Sequence, residues 1–257
     1  MTPALDWALP ALARALGPAV ELHWQPRCGS TNTELLDALR AGLAHPRLLV
    51  AEQQDAGRGR LGRAWQSWPG HSLTFSVAWP WTGAPLDGLS LAVGVALVQA
   101  LDPRLRLKWP NDLWWQQRKL GGILIETVGQ GGLPRGVVIG VGLNVVPPES
   151  DPGQPAAGLQ ELDPTWTAPR ALAAATPALT RLLDCWPAQG WAHWLPQFEA
   201  VDGLRGAAVR CGTLEGQAEG VDASGALRLR DAHNRLHTVA SGEAQVRLAP
   251  PPSEVPC

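Results

Sequence analysis

Between Arg106 and Leu143 the chain leaves no room for a helix. Four strand-like runs, Arg106–Trp109, Leu113–Gln116, Gly121–Val128 and Gly136–Leu143, follow one another, separated by Pro-Asn-Asp, Gln-Gln-Arg-Lys and Gly-Gln-Gly-Gly turns. Regular βαβ alternation is therefore excluded, and with it a doubly wound fold. Upstream, a helix over residues 4–16 sets Leu5, Leu9, Leu12 and Leu16 on one face. A second helix opens at Ser30–Glu34, where Thr31 and Glu34 stand at capping-box spacing, and a third covers Asp87–Leu101. Strands at Val20–Gln25, Arg47–Gln53 and Ser72–Trp79 lie between them. Downstream, Pro147–Pro169 reads as a loop, and Arg170–Cys185 and Trp186–Ala200 as two helices. After Gly203 the texture changes. Gly206–Leu248 holds four or five short strands with turns at Gly212, Gly216, Asp222–Gly225 and His233–Asn234. The expected architecture is α/β (α+β): a mixed-sheet domain over 1–202, a small SH3-like β-barrel over 203–249, and a disordered tail over 250–257.

Composition narrows the function classes. With 45% hydrophobic residues in 257, a sizeable core is available. A net charge of −2 argues against a general polyanion binder, DNA included. Apolar runs stop well short of the ~18 residues of a membrane span, and residues 1–17 carry Asp6 and Pro10 rather than a leader pattern. Cys28, Cys185, Cys211 and Cys257 form no CxxC pair, so a reducing cytoplasm is the expectation. Residues with AT-rich codons are scarce: no Tyr, one Met, two Phe. Against that bias the two lysines of the chain, Lys108 and Lys119, fall close together. Arg replaces a solvated Lys freely but not one used as a compact point charge.

Four motifs can carry chemistry. Gly57-Arg58-Gly59-Arg60-Leu61-Gly62-Arg63-Ala64-Trp65 places arginines for a bidentate anion, glycines for close backbone approach and an indole for a base. Lys108-Trp109-Pro110-Asn111-Asp112 projects oxygens that suit Mg²⁺ on a triphosphate, with Lys119 opening the paired strand. Gly140-Val141-Gly142-Leu143-Asn144 puts glycines inside a strand, as a close ligand requires, and Asn144 suits an adenine edge. Ser30-Thr31-Asn32 stands at a helix start, where hydroxyls cap or bind, and Gln54 ends the strand feeding the basic loop. No P-loop pattern is present.

Taken in order, STN, GRGRLGRAW, KWPND, KLGGILIE and GVGLN resemble the biotin protein ligase family from Ser30 to Asn144, and Gly216–Leu227 resembles its small C-terminal domain. Leu61 departs from relatives that carry Arg there. The resemblance implies ATP-dependent activation of biotin to biotinyl-5′-AMP with release of pyrophosphate, then transfer to a lysine of a biotin carboxyl carrier protein. It implies that Ser30, Thr31, Asn32, Gln54, Gly57 and Arg58 bind biotin, with Gly140 and Gly142 as a wall. Lys119 and Arg60 would hold the carboxylate and acyl phosphate. Arg58, Arg63, Trp65, Lys108, Asn111 and Asn144 would meet ATP. Asn111 and Asp112 would hold Mg²⁺, and Asp112 is a candidate base for the second step. A chain starting this close to the first motif is expected to lack the family's DNA-binding domain and to act as a monomer or weak homodimer. A lipoate or octanoate ligase or transferase is the alternative within the superfamily. An RNA-binding protein using the Arg/Gly loop is the alternative of another class.

Overall fold

The computed structural model describes residues 5–81, 83–130, 133–148, 155–241 and 246–249; the expected tail lies outside them. The chain runs α1 (Leu9–Leu16), β1 (Glu21–Cys28), α2 (Thr31–Arg40), β2 (Arg47–Gln54), β3 (Ser72–Pro80), α3 (Leu89–Leu101), β4 (Arg106–Lys108), β5 (Asp112–Trp115), β6 (Arg118–Gln130), β7 (Leu133–Asn144), α4 (Ala168–Val201), then β8 (Ala208–Cys211), β9 (Leu214–Val221), β10 (Leu227–Arg230), β11 (Leu236–Val239) and β12 (Val246–Leu248). Seven strands form one mixed sheet in the order β1-β2-β3-β7-β6-β5-β4, and the last five form an antiparallel sheet in the order β11-β10-β9-β8-β12. Among the named strands only β1 and β2 pair in parallel, and the helix α2 makes the crossover that such a pair needs. The expected mixed-sheet class therefore holds.

Several element boundaries differ from the sequence reading, for local reasons. The first helix starts at Leu9, not residue 4, because Pro10 fits only the first helical turn. Strand β1 continues past Gln25 to Cys28 even though Pro26 interrupts it. As an edge strand it needs no ladder hydrogen bond from that residue. The turn before β6 is a tight hairpin with Gln116 and Gln117 both at positive φ, a conformation usually signalled by Asn-Gly. The expected two C-terminal helices meet at Gly190 (φ 57°) rather than between Cys185 and Trp186; Pro187 lies inside the first of them.

Side-chain alternation along β2, β3 and β7 decides where a ligand can sit. Leu48, Val50, Leu73, Phe75, Val77, Val137, Ile139, Val141 and Leu143 face α3 and α4 in the main core. On the other face α2 covers only part of the sheet, through Leu35, Leu36, Leu49, Ala78 and Val138. The remainder of that face carries Thr74, Ser76, Gly140, Gly142 and Asn144, small or polar residues that leave a hollow.

At the far edge, Glu21 accepts from His23, His45 and Arg47 at 2.6–2.8 Å, which holds its carboxyl at about 2. A carboxylate with a depressed folded value adds stability above its unfolded value near 4.5 and loses it as pH falls toward 2. Glu21→Gln is expected to lower the melting temperature near neutrality and to flatten its fall across that window, so that the two proteins converge toward pH 2. Parallel melting curves of the two proteins from pH 5 to 2 would refute this.

Candidate active site

The hollow is a cavity of about 580 Å³, lined by the α2 N-terminus, the loop after β2, the β4–β5 turn, the start of β6, β7 and β12. Fifteen of the sixteen expected site residues line it. Gly57 is the exception. It closes the base of the loop, where a Cβ would meet the Trp65 carbonyl oxygen at 2.3 Å. The loop itself is closed by Gly59 N–H to Arg63 O and Trp65 N–H to Gly57 O.

At one end, Ser30 rather than Thr31 caps α2, its hydroxyl accepting from Thr33 N–H. This corrects the capping-box expectation: Glu34 instead accepts from Gln25. Thr31 is thereby released toward Gln54, to whose Oε1 it donates its backbone N–H at 2.7 Å. Asn32 lies over Gly140, where a Cβ would fall 2.2 Å from its Oδ1. The Trp65 ring lies over Gly142, whose Cβ would come within 2.4 Å of it. Those two contacts explain the in-strand glycines. Arg58 is anchored by Glu126 at 2.6 Å.

At the other end the cations gather. Lys119 Nζ is 2.9 Å from Asp112 Oδ1, and the Lys119 backbone is pinned by Pro155 and Ala157. Lys108 lies 5.0 Å from the centre of the Trp114 ring, and burial pushes its ammonium below the ordinary lysine range, helped by Lys119, Arg63 and Arg247. Burial likewise lowers Arg60, which donates to Asn111 Oδ1 at 3.4 Å and to the Ser241 carbonyl of the small domain. Asn111 Nδ2 donates to Ile123 O, fixing its oxygen outward. Asn144 spends its amide hydrogens on Ala157 O and Lys119 O, so a base edge would meet only its oxygen.

Six cationic side chains, Arg58, Arg60, Arg63, Lys108, Lys119 and Arg247, thus face one cavity against a single lining carboxylate, Asp112, among the described residues. Such a field suits a ligand set carrying several negative charges. Arg247 comes from β12 and was not foreseen: a lone Arg in a short terminal strand carries no motif. Ser76 and Glu126, behind the cavity wall, were given no role from sequence: Ser76 is a lone hydroxyl between Phe75 and Val77, and Glu126 is only the last residue of the KLGGILIE run.

Residues 24–144 match the Biotin/lipoate A/B protein ligase family, and residues 208–247 match the Biotin protein ligase C terminal domain. The chain is 36% identical over 240 residues to the bifunctional ligase/repressor BirA of Escherichia coli, covering 87% of this chain and 73% of that one. It is 34% identical over 235 residues to the biotin–[acetyl-CoA-carboxylase] ligase of Paracoccus denitrificans, covering 81% and 94%. The chain belongs to the biotin protein ligase family. It is accordingly a ligase, with the family's α/β fold. The fold of this biotin protein ligase is similar to that of the Aquifex aeolicus biotin protein ligase in complex with biotin and ATP, with a TM-score of 0.75, 25% identity and 89% and 99% of the two chains covered. No helix among the described residues is long and apolar enough to cross a membrane.

Proposed function

We propose that this ligase activates biotin with ATP to biotinyl-5′-AMP and transfers the biotinyl group to a lysine of a biotin carboxyl carrier protein. The observation that carries this reading is the concentration of six cations, including both lysines of the chain, on one cavity. The first step brings the biotin carboxylate against the α-phosphate, two anions whose repulsion opposes reaction. Lys119 and Arg60 would stand between them, and Arg63, Lys108 and Arg247 along the leaving pyrophosphate. Preorganised charge of this kind lowers the barrier because it costs no rearrangement at the moment of reaction. Holding both partners in one cavity supplies the proximity term.

Asp112 and the outward Asn111 oxygen, with phosphate oxygens, fit Mg²⁺, which is bound through one or two protein carboxylates plus substrate phosphates. When bound there, Mg²⁺ would neutralise phosphate charge. In the second step the carrier lysine, with a free pKa near 10.4, must lose a proton before its amine attacks the acyl carbon and expels AMP. Asp112, 2.9 Å from Lys119, would take or orient that proton. The small domain supplies Arg247 and the Ser241 carbonyl, so its role extends into the site.

Pyrophosphate exchange into ATP tests the first step without a carrier. Exchange should depend on biotin; exchange absent with biotin, or supported by lipoate instead, overturns the reading. Arg247→Ala should raise the KM for ATP in this assay by roughly tenfold or more, the effect of one lost charged hydrogen bond, and leave biotin affinity in place. An unchanged KM would remove Arg247 from the nucleotide site.

A further inference from the structure

Behind the end of the cavity lined by Ser30, Thr31 and Gln54 runs a chain of side chains that is one proton short. Glu126 Oε1 accepts from Arg58 at 2.6 Å and Oε2 accepts from Asn32 Nδ2 at 2.9 Å. Asn32 Nδ2 also reaches the Leu124 carbonyl at 3.3 Å, so its Oδ1 is turned to Ser76, whose Oγ lies 2.6 Å away. Ser76 Oγ is 2.7 Å from Thr31 Oγ1, and Thr31 Oγ1 is 3.0 Å from Gln54 Oε1. Thr31, Asn32 and Ser76 are all buried.

Between Asn32 Oδ1 and Gln54 Oε1 there are three oxygen–oxygen contacts but only two hydroxyl protons, since each hydroxyl donates once. The two short contacts take them: Ser76 donates to Asn32, and Thr31 donates to Ser76. The long contact is left without a proton. Thr31 Oγ1 and Gln54 Oε1 therefore stand side by side as acceptors on residues that line the cavity. Gln54 cannot turn its amide to relieve this, because its oxygen holds the Thr31 backbone N–H. What completes the pair is an N–H from a ligand.

The direction of the chain is set at its far end. A carboxylate paired with Arg58 accepts and does not donate, so Asn32 must present its Nδ2 to Glu126 and its oxygen to Ser76. We infer that Glu126 is a positioning residue for ligand specificity: through Asn32 and Ser76 it keeps Thr31 and Gln54 as a paired acceptor for a ligand N–H. This rests on the reading of the ligand as biotin, whose ureido ring carries two N–H groups.

Glu126→Gln changes little in volume but adds a donor. The Asn32 amide can then turn over, and the chain can run from Asn32 through Ser76 and Thr31 to Gln54 with every contact protonated, which fills Gln54 Oε1 with the Thr31 N–H and O–H and leaves the ligand one lone pair on Thr31 in place of a paired acceptor. Ser76→Ala cuts the chain without touching Arg58 and frees the Thr31 proton for Gln54, so that Gln54 Oε1 is filled and the paired acceptor is again reduced to Thr31 alone.

Isothermal titration of the full chain with biotin, and with the two carbamate analogues in which ring oxygen replaces one or other ureido N–H, separates the possibilities. The parent protein should prefer biotin over at least one analogue by about tenfold, the effect of one buried hydrogen bond. Both variants should bind biotin about tenfold more weakly and lose that preference, and the double variant should be no worse than Ser76→Ala alone. If Glu126→Gln weakens biotin and both analogues alike, it acts only by loosening Arg58, and the inference is wrong. Additive single effects would overturn it equally. A parent protein that binds no biotin sinks the biotin reading itself.

Discussion

Lys119→Arg is expected to lower the rate of biotinyl-adenylate formation about a hundred- to a thousandfold, the equivalent of roughly 2.7–4 kcal/mol of transition-state stabilisation. The charge is conserved in this substitution, so the loss comes from shape. Lys119 Nζ stands 2.9 Å from Asp112 Oδ1, and its side chain lies over Gly122, close enough that a Cβ there would sit 3.5 Å from the ammonium. The backbone cannot shift to compensate, because Lys119 N–H donates to Pro155 O and its carbonyl accepts from Ala157 N–H. A guanidinium is wider and planar, and it presents a fork rather than a point. Keeping its pair with Asp112 would push that fork into the space where, in the proposed first step, carboxylate and phosphate oxygens would meet. Single-turnover adenylate formation, measured apart from transfer to the carrier, reads this directly. A near-parental rate would show that Lys119 contributes only its charge, and that the pairing of the chain's two lysines in one site is incidental.

The contrast between Lys119 and Arg247 shows what a sequence makes legible. Lys119 stands in a strand-opening motif a few positions from Asn111 and Asp112, and the β5–β6 hairpin brings those residues together by local pairing alone. The Arg/Gly loop is similarly self-announcing, since its glycines and cations sit between two strands that are neighbours in the sheet. Thr31 and Gln54 were visible singly, but their contact depends on parallel pairing of β1 with β2 through α2. Ser76 and Arg247 were not visible, and Glu126 was visible only as the end of the KLGGILIE run, with no role attached. Ser76 and Glu126 reach the site only because strand alternation turns them to the hollow side of a sheet whose order places β7 between β3 and β6. Arg247 reaches it only because the small domain folds back onto the β4–β5 turn. The boundary errors have the same character. Pro26 reads as a strand end until the strand is known to be an edge, and Gln116-Gln117 carries no turn signature until pairing forces one.

Trp109→Ala should be the most destabilising single change in the site region, by about 3–5 kcal/mol, the cost of emptying a buried aromatic position. Trp109 is 1% exposed within the main core, and its Nε1 donates to the Gly225 carbonyl at 2.9 Å. That bond joins the β4–β5 turn to the turn between β9 and β10. Around it the two units touch through backbone: Gly225 packs on Gly88 so closely that a Cβ would fall 3.1 Å from the Gly88 Cα, and Gly203 N–H donates to Leu107 O. Losing the indole therefore removes both a core filler and the tie that docks the small domain. For a chain of this size the melting temperature should fall by roughly 2–4 °C per kcal/mol. Trp109→Phe separates the two roles. It keeps most of the apolar contact and gives up one hydrogen bond, about 1 kcal/mol, leaving the Gly225 carbonyl unpaired. Because Arg247 arrives on the small domain while Thr31, Gln54 and Asn32 belong to the large one, this variant should raise the KM for ATP more than it weakens biotin. Equal effects on both substrates would mean that Trp109 acts on the whole site through the core, not through docking, and a melting temperature for Trp109→Ala within a degree or two of the parent would refute its place as the tie between the two units.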